Sequence, residues 1–138
     1  MNFSKKVKVA KELIEYLLTD SEEVSWVNFS KSKYKNEIIN VSESSSGIYG
    51  NTFICITAKS KILAIGKYEE RYYTDENEYY SLYPYFFSYG NISGDKITSI
   101  ETVIESEFGD TDKLAELYSK VNISNMNINL DDITNSFF

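Results

Sequence analysis

Residues 61–89 read KILAIGKYEERYYTDENEYYSLYPYFFSY. Residues 61–73 are rich in β-branched and aromatic side chains, the composition of a strand. TDENE at 74–78 is polar and turn-forming. Residues 79–89 then alternate: Tyr79, Tyr83, Tyr85, Phe87 and Tyr89 share one face, while Tyr80, Leu82 and Phe86 share the other. Tyr80 is expected to point inward. Two strands joined by so short a turn are antiparallel. Pro84 has no N–H for a ladder, so the second strand is expected at an edge or with a bulge. An exposed edge is also where another chain can add.

The flanking sequence extends this hairpin into a sheet. VSWVNF (24–29), EIINVS (37–42) and YGNTFICITAK (49–59) have strand composition, SESSSG (42–47) has loop composition, and Lys59–Ser60–Lys61 suits a tight connection. Residues 5–18 read as an amphipathic helix about 21 Å long, with Ser4 as its N-cap. Val7, Ala10, Leu13, Ile14, Leu17 and Leu18 form its apolar stripe, and Lys5, Lys6, Lys8 and Lys11 belong to its wet side. Downstream, NISG (91–94) reads as a turn. Thr98 and Glu101 fit a capping box before a helical stripe of Ile100, Val103, Ile104 and Phe108, with Gly109 just past its end. Thr111 suits the cap of a second helix carrying Leu114, Leu117, Tyr118 and Val121.

Strands that follow one another without intervening helices indicate an antiparallel sheet. The expected fold class is therefore α+β: an N-terminal amphipathic helix packed on an antiparallel sheet of about five strands, then two short C-terminal helices. The 138 residues suit one domain, 1–138, with 122–138 as a loosely docked tail. At 42% hydrophobic residues the composition is that of a globular chain. Glu12 and Glu15 interrupt the N-terminal apolar run, and no stretch approaches the length of a membrane span, so a cytoplasmic location is expected.

The same totals remove several kinds of chemistry. The chain has no histidine, so Ser–His and Cys–His arrangements are absent, as are phosphate-cradling glycine motifs. Glu69–Glu70 and Glu101/Glu105 are the nearest paired carboxylates. The first two should point to opposite strand faces, and the second pair should face solvent from a helix. Asp75–Glu76–Asn77–Glu78 resembles the start of a calcium loop, but Tyr79 and Tyr80 stand where Asp/Asn and Gly are needed. Cys55, the single cysteine, sits among Phe53, Ile54 and Ile56 and reads as a buried thiol. No enzyme activity, cofactor or metal is expected.

What remains is the tyrosine–carboxylate tract itself. Residues 68–89 hold eight tyrosines and five acids but one basic residue. The net charge of −7 is uneven: residues 1–67 carry ten basic and seven acidic groups, and 68–138 carry four and fourteen. Phosphate repulsion argues against nucleic acid, and the same charge argues against anionic membranes. Tyrosine is rigid and amphipathic and suits protein interfaces, carboxylates steer basic partners, and arginine stacks on phenol rings. The expected partner-binding residues are Glu69, Glu70, Tyr72, Asp75, Glu76, Glu78, Tyr79, Tyr83 and Tyr85. In size, charge and layout the chain resembles the immunity proteins of interbacterial toxin systems, which implies a monomer that occludes a basic, nuclease-type toxin. No family motif accompanies the resemblance, so no residue roles transfer. A phage-type nuclease inhibitor that mimics DNA, an acidic secretion chaperone and a small-ligand binding domain are the alternatives.

Overall fold

The structure, a computed structural model, describes residues 3–19, 24–37, 39 and 45–125. Helix α1 spans Phe3–Thr19. Strand β1 (Trp26–Asn28) runs into a single 3-10 turn, Phe29–Lys31. Four longer strands and one short one follow: β2 (Ser45–Ile56), β3 (Lys61–Asp75), β4 (Glu78–Leu82), β5 (Tyr85–Ser93) and β6 (Lys96–Ile104). Helices α2 (Glu105–Phe108) and α3 (Thr111–Asn125) complete the described chain. All strand pairs are antiparallel, in the order β1-β2-β3-β5-β6, with β4 on β3. The α+β reading holds, with six strands instead of about five.

The sheet is covered on both faces. On one face Ala10, Ile14 and Leu17 of α1 and Leu114, Leu117 and Val121 of α3 pack on Phe53, Leu63, Ile65, Phe87 and Val103. Each such side chain, fully buried, stabilises the fold by about 1.5–3 kcal/mol. Cys55 lies in this layer, and burial pushes its thiol pKa up. The other face carries Ile54, Ile62, Ala64, Tyr68 and Phe86 beneath Tyr34 and Ile39. The segment after β1 is pinned there by polar contacts: the Tyr34 hydroxyl donates to the Gly94 carbonyl (3.0 Å), and the Glu37 carboxylate accepts the Ile97 N–H (2.8 Å).

Two covered faces explain the main departure from the sequence reading. Residues 98–104 are not helical; they belong to β6, and only Glu105–Phe108 make a single helical turn. Ile100 and Ile104 pack on one face of the sheet and Val103 on the other. Apolar residues on both parities of a strand reproduce the i, i+3, i+4 spacing of a helix. The β-branched run Ile97, Thr98, Ile100, Thr102, Val103, Ile104 favours the strand. Thr98 caps nothing; its hydroxyl donates across the hairpin to the Asn91 carbonyl at 3.2 Å. Gly90 permits the close approach of these strands, since a Cβ there would stand 2.0 Å from the Ser99 carbonyl oxygen.

Smaller corrections follow the same logic of local hydrogen bonding. Ser4 lies within α1, which begins at Phe3. Asp110, not Thr111, caps α3, its carboxylate accepting the Lys113 N–H at 3.2 Å. Gly109 ends α2 in the left-handed region at φ 79°. Of the strand expected at 37–42, Glu37 and Ile39 lie outside any strand and the rest is beyond the described residues; of the loop expected at 42–47, residues 45–47 open β2. In the expected tail, 122–125 continue α3, and 126–138 lie outside the described residues. Glu101 lies in β6 opposite Tyr89, so it shares no helix with Glu105.

Candidate functional site

Strand β3 is longer than the sheet it crosses. Its first half pairs with β5, from Lys61↔Asn91 to Lys67↔Tyr85, and its second half pairs with β4, from Glu70↔Leu82 outward. The two registers are continuous, because the pairs Lys67↔Tyr85 and Glu70↔Leu82 are three residues apart on both strands. β4 and β5 are thus one course of chain, interrupted at Tyr83–Pro84 because proline lacks the ladder donor. The ladder persists through the gap: the Tyr68 N–H donates to the Pro84 carbonyl at 3.1 Å.

Beyond the sheet this hairpin stands alone. Strand β2 reaches only as far as Ser45, opposite Glu70. From Arg71 to Tyr80 every residue is exposed, forming a two-stranded ribbon that ends in a Glu76–Asn77 turn. The Glu76 N–H is accepted by the Asp75 carboxylate at 2.7 Å, which closes the turn. Exposure on both faces follows from the absence of any covering layer among the described residues.

Strand alternation sorts the ribbon into two faces. On the helix-bearing side stand Glu69, Arg71 and Tyr73, opposite Tyr83, Ser81 and Tyr79. Here Arg71 lies 4.6 Å from the centre of the Tyr79 ring, with Nε 3.1 Å from Glu69 Oε1; the second Glu69 oxygen accepts from Ser81 Oγ at 2.9 Å. A hydrogen bond with Tyr73, and after it Glu69, raises the Arg71 pKa above its already high ordinary value. On the opposite side Tyr72 and Tyr80 stack with ring centres 5.3 Å apart and planes 14° from parallel. A hydrogen bond to Glu70 raises the Tyr72 pKa. Leu82 on that side is also exposed.

The expected site residues therefore divide. Tyr72, Asp75, Glu76, Glu78 and Tyr79 lie on the free ribbon. Glu69 and Glu70 stand at its base on opposite faces, half-buried. Tyr83 is exposed and lies against Tyr49, with ring centres 4.0 Å apart and planes tilted by 32°. Tyr85 is drawn into the body, half-buried against Tyr118, with Lys67 over its ring. Tyr80 does not point inward: it is 54% exposed, because nothing covers the ribbon at its level. Tyr73, at 62% exposure the most open tyrosine of the tract, and Arg71 were missed. Pairing 73 with 79 across the turn would have found both, since Arg71 shares their face.

Among the described residues Tyr79 and Tyr80 border a shallow hollow, open to solvent, with Thr74, Asn77 and Glu78. An apolar cleft of about 310 Å³ lies between α1 and the sheet, lined by residues such as Leu13, Leu17 and Leu63, and Tyr89 is the only tract tyrosine in it. Among the described residues no three His, Cys, Asp or Glu side chains are grouped to hold a metal, and no helix is long and apolar enough to cross a membrane. No protein-family model, curated protein or solved structure matches this chain.

Proposed function

We propose that this protein is a non-catalytic, protein-binding inhibitor of the immunity type, whose ribbon docks on a basic macromolecular partner such as a nuclease-type toxin and occludes its working surface. The observation that carries this reading is the projecting hairpin: Tyr72, Tyr73, Tyr79 and Tyr80 are all exposed within a stretch that also bears Asp75, Glu76 and Glu78. Exposed rings of this kind supply contact area with little conformational entropy to lose, and carboxylates around them speed encounter with cations. Nucleic acid is disfavoured by the same carboxylates. The reading places a monomer in the cytoplasm.

The test is affinity capture from the source strain at low and high salt. A basic protein is expected to be retained, with association slowed as salt screens the charges. Neutral replacement of Glu69, Glu70, Asp75, Glu76 and Glu78 should weaken retention, and each exchange at the exposed Asp75, Glu76 and Glu78 should change the unfolding free energy by no more than about 0.5 kcal/mol. Undiminished retention by that variant would remove the ribbon from the interface.

A further inference from the structure

The two faces of the ribbon carry the same kinds of group but are filled differently. The helix-side face holds Tyr73, Tyr79 and one carboxylate, Glu69, and the ribbon's own Arg71 already occupies them by ring contact and ion pair. The other face holds the stacked pair Tyr72 and Tyr80. Glu70, two residues from Tyr72 along β3, stands on the same side at the inner end of the stack. Among the described residues no lysine or arginine is paired with Glu70 or set over either ring. One face is locally neutralised, and the other offers two stacked rings beside an unneutralised carboxylate.

We infer that the Tyr72–Tyr80 face receives an arginine side chain of the partner, stacked on the phenol pair and bound to Glu70. This rests on the reading of the ribbon as a partner-binding surface and names the face and the residue type recognised. The filled face shows the geometry the chain itself uses: a guanidinium 4.6 Å from a tyrosine ring centre while bonded to a neighbouring carboxylate. Arginine suits such a site better than lysine, because its planar, weakly hydrated head can stack and hydrogen-bond at once.

Capped tetra-arginine and tetra-lysine peptides provide the probes, read by NMR of the tyrosine rings and glutamate side chains at low ionic strength. Tetra-arginine is expected to shift Tyr72, Tyr80 and Glu70 at concentrations that leave Tyr73 and Tyr79 unmoved, and to bind about three- to tenfold more tightly than tetra-lysine. Glu70→Gln or Tyr80→Ala should lose that preference. Arg71→Ala should vacate the helix-side face and let tetra-arginine shift Tyr73 and Tyr79 as well. Equal shifts on both faces of the unaltered protein, equal binding of the two peptides, or shifts confined to Asp75 and Glu76 would overturn the assignment. Any of these leaves the basic-partner reading standing, because capture through the turn carboxylates needs no stacked arginine. That reading fails separately, if no basic protein is retained in the capture experiment.

Discussion

Two tyrosines nine residues or fewer from the ribbon's tip show how position alone sets a phenol's role. Tyr73 is open to solvent, and Tyr68, on the same strand, is 1% exposed beneath the segment that follows β1. Burial first, and the charge of Glu70 second, push the Tyr68 pKa from 10.0 to about 12. A raised pKa means the folded state holds its proton more tightly than the unfolded chain. The associated stability is therefore intact below about pH 10 and lost as the pH rises through about 12. Tyr68→Phe should remove about 2–3 kcal/mol of the alkaline loss measured by denaturant unfolding between those limits. It should also delete the phenolate step near pH 12 in an absorbance titration. At this scale the sequence was informative about parity and silent about cover. Alternation placed Tyr79, Tyr83 and Tyr85 on one face correctly, yet nothing in residues 68–89 marks where the sheet ends. Tyr80 was expected inside and Tyr73 was overlooked for that reason.

The hairpin of β3 with β4 and β5 is two structures in one element. Its inner part is a fully covered strand pair, and its outer part is a ribbon with no covering layer among the described residues. The inner part should fold without the outer. Joining Glu70 to Leu82 through Asn-Gly, a favoured two-residue turn, removes Arg71–Ser81 and no core side chain. The unfolding free energy of this shortened protein should fall by no more than about 1 kcal/mol, whereas Leu117→Ala in α3 should cost about 2–5 kcal/mol. A large loss on shortening would mean that the ribbon supports the fold. The turn at 74–78 and the stripe of α1 were legible in the sequence, because each rests on local chemistry, whereas Pro84, expected to mark an edge or a bulge, instead divides that strand into β4 and an interior β5 between β3 and β6. The strand nature of 96–104 was not legible, because its apolar residues serve two opposite layers, and only the fold reveals that both faces of the sheet are covered.

On the scale of the whole molecule, four exposed tyrosines and three carboxylates stand together on one projection. Two of the four α1 lysines are engaged within the body: Lys6 pairs with Glu107 at 3.4 Å, and Lys11 lies over the Phe108 ring. A compact body with two covered sheet faces holds the ribbon away from itself, where a partner can reach both of its sides. That arrangement makes the shortened protein the most direct probe of the proposed role, since it retains the body and lacks the projection. Intact and shortened chains, immobilised at equal density and exposed to the same native lysate, give the decisive comparison. The account predicts a basic protein retained by the intact chain and absent from the shortened one; equal retention by both would contradict it.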